Sequence, residues 1–582
     1  MKLNCILWCK INVLFYDVQE GYELKKIYKG QRTMNPNSII SNKPGVLFVN
    51  RIFILIILSI SLLLSCNKSE NTDNSISYQS LPPSTEFDVV ILNGRVMDPE
   101  TGMDAVRNVG IKDGLIGLIT EESISGKETI NADGLVVSPG FIDIHSHISD
   151  FPFGQKLSLR DGVTTPLDME AGAYPVDEWY AKLEGKSQTN YGAAVSAAAV
   201  REILANPDYE TSTASILLDA FDPHNESGFN MSLTDFLPTA EQINKMEAML
   251  EKGIQQGALG LGAVPGYMTR GTTSRETIMW QKLMGEYGLS TVLHGRFSSQ
   301  MPPNTGILGT QEMLASVAAY GGGLYVSHIH QQALNYTPTA IDLVEACNKN
   351  GLKTVAAIYP YWQGATVAGA DYLAPDNYQR NMGRSYEDII EVATMKPLTK
   401  ERYEELLKTQ PGASVIFGGV EEEIMLQAMA NPVTMIESDA APLSITATGE
   451  LALDWSTPYE STQGHPRGAG SHAKTLRLVR EKQLMPLMLA ISKMSYMQAE
   501  FLQENGVRQM AKKGRIQEGA DADITIFDPE TVSDNATMAK GGLPSTGIPF
   551  VLVNGTVVVR ESKVLEDVYP GKPIRNKVIN QN

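Results

Sequence analysis

Cysteine is nearly absent from this 582-residue chain, which contains only Cys5, Cys9, Cys66 and Cys347. So few thiols exclude a disulfide framework. Basic residues are also short: 48 Lys and Arg face 66 Asp and Glu, a formal charge of -18. That balance argues against nucleic acid as a partner, because phosphate binding needs a basic surface. A long hydrophobic run is missing too. The apolar stretch Ile52 to Leu64, broken by Ser59 and Ser61, falls short of the ~20 residues that span a bilayer. What remains is ordinary for a globular protein, 43% hydrophobic and 20% charged, and long enough for a large core and more than one domain.

The short apolar run carries its own message. Arg51 precedes it, Leu63-Leu64-Ser65-Cys66 ends it, and polar Asn67-Lys-Ser-Glu-Asn follows. This is the pattern of a signal-peptide core, and its ending resembles a bacterial lipobox, whose cysteine is lipidated and becomes the first mature residue. Residues 1–66 are expected to be a leader, with Met34 as an alternative start and Lys43 and Arg51 as its basic flank. Residues 67–84, rich in Ser, Asn and Thr, are expected to be a flexible tether. The expected location is the bacterial cell envelope, with a lipid anchor at Cys66 (periplasmic or outer membrane). Cys347 would then be the one remaining thiol, and its helical context, Ala340 to Asn348, marks it as a core residue.

Hairpin signals cluster at both ends of the remaining chain. Asp88 to Asp98 reads as strand, Asn-Gly turn, strand; Val109 to Ile119 repeats this with Asp-Gly, and Val551 to Val559 with Asn-Gly. Asp523 to Asp528 adds another strand. Two hairpin-rich pieces would each leave exposed edges, so 85–137 and 512–582 are expected to form one composite β-domain. Between them, 138–511 alternates apolar strands (Ala193 to Ala197, Ala258 to Gly262, Ser290 to His294, Leu324 to His328, Thr354 to Ile358, Val433 to Asp439) with helical stretches such as Thr239 to Gln256 and Ser274 to Tyr287. This alternation predicts an α/β fold with a (β/α)8 TIM-like barrel. The polar stretch of about 362–418, with its own helix over Lys400 to Lys408, reads as an insertion over the barrel mouth.

Chemistry gathers at the strand ends, where barrel enzymes keep it. Ser138-Pro-Gly-Phe-Ile-Asp-Ile-His-Ser-His147 is a turn, a short strand and two imidazoles that alternation would aim at one point. Glu170, His294, His328, His330 and Asp439 fall at further strand ends, and His465 opens a His-Pro-Arg motif. Five of only eight histidines at strand ends point to a metal at the barrel mouth.

These residues also carry a resemblance. Phe87 to Arg575 resembles the amidohydrolase superfamily through Val136 to His147 and the terminal hairpins. Within it the segment resembles the N-acyl-D-amino-acid deacylases (D-aminoacylases) through Asp161-Gly-Val-Thr-Thr165, Val326-Ser-His328, Ile358-Tyr-Pro-Tyr361, Glu437-Ser-Asp439, His465-Pro-Arg467 and Gly514 to Pro529. The resemblance implies hydrolysis of a small N-acyl amino acid with zinc, one ion or two. It implies His294 and His328 as ligands, His145 and His147 as a second position, and Asp439 as the group that moves the proton. It also implies Arg467 and Tyr359 as holders of the substrate carboxylate and carbonyl. Arg296, in His294-Gly-Arg296, is a further candidate substrate contact, and His330, where relatives often carry a lysine, is a candidate for a substrate contact or for a group behind one. D-aminoacylases of the best-known type place a metal-ligating cysteine after Gly-Val-Thr-Thr. Here Pro166-Leu-Asp-Met-Glu-Ala-Gly172 has none, so Glu170 is the expected ligand, with Asp168 on the same face as its substitute. A cyclic-amide hydrolase of hydantoinase or dihydroorotase type, a dipeptidase for an unusual linkage, and a lipid-anchored binding module with a decayed site are the competing readings.

Overall fold

The computed structural model describes residues 78–211, 214–374 and 377–579. The expected leader, Cys66 and residues 67–77 of the expected tether lie outside them. Residues 78–84 are not a tether. The Leu81 N–H donates to Gly117 O at 3.0 Å, the Ser80 hydroxyl donates to Glu518, and Leu81 packs beside Phe87 and Leu118. An apolar leucine among polar neighbours fixes where the chain docks. Among the described residues no helix is long and apolar enough to cross a membrane.

Both ends of the chain share one nine-stranded sheet. The first part contributes Glu86–Asp98, Met103–Lys112, Leu115–Thr120, Ser125–Asn131 and Val136–Pro139, and the last part Ile524–Phe527, Phe550–Val553, Thr556–Arg560 and Lys563–Val564. The parts join where Val136–Pro139 runs antiparallel to Ile524–Phe527, and alternate apolar side chains such as Val89, Ile91, Ile524 and Ile526 form a common core.

Two of the three Xaa-Gly signals are hairpin turns. Asp113-Gly114 and Asn554-Gly555 both take positive φ at the two central positions, which suits the twist of paired strands. Asn93-Gly94 is different, because Glu86–Asp98 runs through it as one strand with a bulge. Residues 86–92 pair with Ser125–Asn131, whereas Arg95 and Val96 pair with Val136 and Val137. The bulge is where the strand changes partners. A Cβ on Gly94 would lie 2.4 Å from the Val137 side chain, so the close approach requires glycine.

The second large sheet has eight parallel strands in sequential order. They are β1 (Phe141–Asp143), β2 (Val163–Ala173), β3 (Gly192–Ser196), β4 (Gly260–Ala263), β5 (Ser290–Leu293), β6 (Gly323–Val326), β7 (Lys353–Ile358) and β8 (Thr434–Ile436). Helices between them include Ala240–Gln255, started by a Thr239/Gln242 capping box, and Ser274–Tyr287. The seam between β1 and β8 is tied just beyond the strands. Ser146 bridges Ala440, and the buried Asp143 carboxylate accepts the N–H groups of His145 and Ser438 at 3.3 and 3.1 Å. Such charge-assisted bonds contribute about 1.5–3 kcal/mol each.

The stretch expected as an insertion holds its own four-stranded sheet, with Gln363–Val367, Ile389–Glu391, Lys396–Pro397 and Ser414–Gly418. It also holds the helix Lys400–Thr409 and a separate apolar cluster around Tyr378, Tyr403 and Leu406.

Candidate metal centre and substrate cavity

The His-x-His pair sits just beyond β1. His145 and His147 continue the extended run into the seam, and their Nε2 atoms come within 3.0 Å of each other. Asp439 arrives from the end of β8 with φ 52°, its N–H held by His145 O at 2.8 Å. Its Oδ1 lies 3.2 Å from His145 Nε2 and 3.8 Å from His147 Nε2. His328 follows β6, also with positive φ. For non-glycine residues such backbones cost about 1–3 kcal/mol and gather at functional sites.

Glu170 joins these groups to a second set. Strand β2 loses register with β3 between Asp168 and Ala173, and the bulge carries Glu170 to the barrel mouth. Gly262 permits this, since a Cβ there would lie 2.4 Å from Glu170 O. Glu170 Oε2 lies 3.5 and 3.6 Å from Nε2 of His145 and His147. Its other oxygen, Oε1, lies 3.2 Å from His294 Nδ1 and 3.3 Å from His328 Nε2. One buried carboxylate thus faces two imidazole pairs, one with each oxygen.

A further layer of carboxylates stands behind the rings. His145 Nδ1 lies 3.2 Å from Glu437 Oε2, and Glu437 Oε1 accepts the His328 N–H. His147 Nδ1 lies 3.0 Å from Asp168 Oδ1, which also accepts the Gly172 N–H. Asp168 is therefore not a substitute ligand but the partner behind one. Carboxylates on the far nitrogen of a ligating histidine set its tautomer and raise its basicity. Burial alone would strip charge from this cluster. The carboxylates of Asp439, Glu437 and Glu170 outweigh burial at His145 and hold its imidazole well above its usual value. At Glu170, burial is outweighed by His145, His294 and His328, which hold the carboxyl well below its usual range. Buried nitrogen and oxygen donors converging in this way fit zinc. His145, His147 and Asp439 form one group able to hold an ion, and His145, Glu170 and His328 another.

The cluster opens into a cavity that is lined by His147, Glu170, His294, His328, Tyr359, Asp439 and Arg467. Thr366, Tyr372 and Phe417 of the 362–418 stretch contribute one wall. Arg467 starts the helix Arg467–Lys482. Its Nη1 lies 2.7 Å from Asp439 Oδ2, its Nη2 donates to Ala365 O at 3.2 Å, and its guanidinium stacks 5.1 Å from the Tyr359 ring. His465 Nδ1 accepts the Arg467 N–H at 3.2 Å, so the His-Pro-Arg motif sets this arginine.

Two expected substrate contacts lie elsewhere. Arg296 pairs with Glu312 at 2.7 Å and donates to Thr272 O, which consumes its fork in packing the helix Gly306–Tyr320. His330 is fully buried behind Tyr359, ring centroids 4.5 Å apart, with Nε2 against Tyr361 O. Burial holds it well below its usual value, so it supports Tyr359 as a neutral ring. His472 pairs with Asp161 inside the fold, and exposed His224 with Glu450. Sequence reading named Glu437 only within its motif, did not see Asp168 as a partner, and did not single out Tyr267, whose ring lies 4.8 Å from His294. Glu437 and Asp168 each stand two residues before an expected site carboxylate, the one signal that could have marked them.

No family model matches the chain. Among curated proteins it is similar to a D-aminoacylase of Alcaligenes xylosoxydans xylosoxydans, 25% identical over 519 residues that cover 82% of this chain and 96% of the relative. It is also similar to an N-acyl-D-glutamate deacylase of the same organism, 26% identical over 503 residues that cover 81% and 94%. Among solved structures, the N-acyl-D-glutamate deacylase of Bordetella bronchiseptica, complexed with zinc and a phosphonate inhibitor, superposes with a TM-score of 0.66 at 22% identity, covering 84% of this chain and all of that one. In fold the chain is like the solved N-acyl-D-glutamate deacylase, and in sequence it resembles the N-acyl-D-amino-acid deacylases over most of its length.

Proposed function

We propose that this protein hydrolyses the linear amide of N-acyl-D-amino acids to a carboxylate and a free amino acid. The observation that carries the reading is Asp439, held between the imidazole cluster and Arg467. One oxygen faces the imidazole nitrogens and the other a buried cation, which supports a proton-accepting role for Asp439 beside a carboxylate-binding one for Arg467. His145, His147, Glu170, His294 and His328 would hold zinc. When bound, zinc polarises the amide carbonyl and acidifies water towards ~7.

The chain's own groups do the rest. Asp439 accepts the proton of the attacking water and returns it to the amide nitrogen as the C–N bond breaks. Arg467 binds the substrate α-carboxylate by a charge-assisted contact while its Nη1 keeps Asp439 in place. Tyr359 shields the pair from water, and the wall from 362–418 covers the cavity. The hydantoinase reading lacks a comparable use for Arg467, since a simple hydantoin ring brings no carboxylate.

The envelope location and the lipid anchor at Cys66 belong to the same proposal, supported by Leu63-Leu64-Ser65-Cys66 and the polar stretch that follows. The test is amine release from paired N-acetyl-D- and N-acetyl-L-amino acids. Release from the D series alone, abolished by chelation, is expected. Ring opening of hydantoins with no release from either series would overturn the reading.

A further inference from the structure

The cavity that holds the cluster has two unlike halves. One is the polar end with His147, Glu170, Asp439 and Arg467. Facing it is a wall built by residues 216–233, where Ile216, Leu217, Phe221, Phe229, Met231 and Leu233 line the space. Among the described residues lining the cavity, Arg467 is the one Lys or Arg. It is buried and already paired with Asp439. Among the neutral donors nearby, the Thr366 and Tyr372 hydroxyls both donate to the Tyr267 hydroxyl, and Gln331 Nε2 donates to Trp362 O.

From this charge count we infer that the site admits substrates with a single negative charge, the α-carboxylate, and with uncharged apolar groups as both the amino-acid side chain and the acyl arm. The inference rests on the deacylase reading and narrows its substrate class. A second carboxylate on either arm would enter an apolar wall with no cation to meet it, and an unpaired buried charge is strongly disfavoured. The two curated relatives divide on this point by name, one a D-aminoacylase and the other an N-acyl-D-glutamate deacylase. The wall places this chain with substrates lacking an acidic side chain.

The test uses the zinc-loaded full chain and three substrates: N-acetyl-D-methionine, N-acetyl-D-glutamate and N-succinyl-D-methionine. Both dianions should show kcat/KM lower by at least about 100-fold. Leu217→Arg places a cation on the half-exposed side of the wall and should raise the glutamate-to-methionine ratio at least about tenfold, with Met231→Lys as the second variant. Dianions cleaved within about threefold of the monoanion would overturn the inference and leave the deacylase reading intact. If none of the three releases amine, calorimetric binding separates the failures. Tighter binding of the monoanion keeps the charge inference and sinks the deacylase reading, whereas equal or absent binding sinks both.

Discussion

Replacing Glu170 with glutamine tests the architecture of the centre at a single atom. The side chain keeps its volume, but only one end remains an oxygen. In the wild type, Oε2 faces His145 and His147, and Oε1 faces His294 and His328, all within 3.6 Å. In Glu170→Gln an NH2 group must face one of the two sets, and that set loses its anionic ligand. The first set still has Asp439, but the second would keep only two neutral imidazoles. The amide oxygen is therefore expected to turn to the first set, leaving the second position without metal. Elemental analysis after gel filtration should count two zinc ions per wild-type chain and one in the variant. Loss of a mere supporting group costs 10–100-fold in metal affinity, about 1.4–2.7 kcal/mol, so the remaining ion should weaken by at least that much in a competing-chelator titration. A variant that retains two ions at wild-type affinity would refute the bridging role, and a wild type that binds one ion would refute the two-position centre.

Other perturbations address the neighbours of that bridge. Asp439→Asn should lower kcat by about 10²–10⁴ while substrate still binds, measured by amine release beside calorimetry. Asp168→Asn, which alters the group behind His147 that also accepts the Gly172 N–H, should weaken zinc about 10–100-fold in a chelator competition. Gly266→Ala would put a Cβ 2.3 Å from His294 Cδ2, so it should cost the second ion and leave the first, read by metal counting. His145 is held protonated well above its usual value in the metal-free protein, against burial, by Asp439, Glu437 and Glu170. A raised folded value means that its stabilisation is complete below its unfolded pKa of about 6.5 and is lost as pH climbs through the folded value. Zinc requires the neutral ring, so binding at pH 7 should release about one proton and tighten with rising pH, seen by calorimetry in buffers of different ionisation enthalpy.

Much of this could be read from the chain because each signal was local. The turn and strand before His145, the capped helix over 240–255 and the Asp113-Gly114 and Asn554-Gly555 turns depend on neighbours a few positions away. Asn93-Gly94 misled because its bulge answers to Val137, a packing partner more than forty positions on that no local pattern shows. Arg296 looked like a substrate contact because it follows His294, but a strand-end arginine can serve either face, and Glu312 captures it. Glu437 and Asp168 were named without an orienting role because orientation of an imidazole is a property of three dimensions, invisible to spacing.

The sheet shared by both ends of the chain also bears on synthesis. Ser138 and Thr525, bonded across the join at 3.1 Å, are 387 positions apart. At about 5–20 residues per second, the first five strands wait roughly 20–80 s for their partner strand to be made. Throughout that interval Val136–Pro139 presents an unpaired edge, the kind of surface that recruits foreign strands. Until its last seventy residues emerge, this protein depends on whatever shields that edge in the cell.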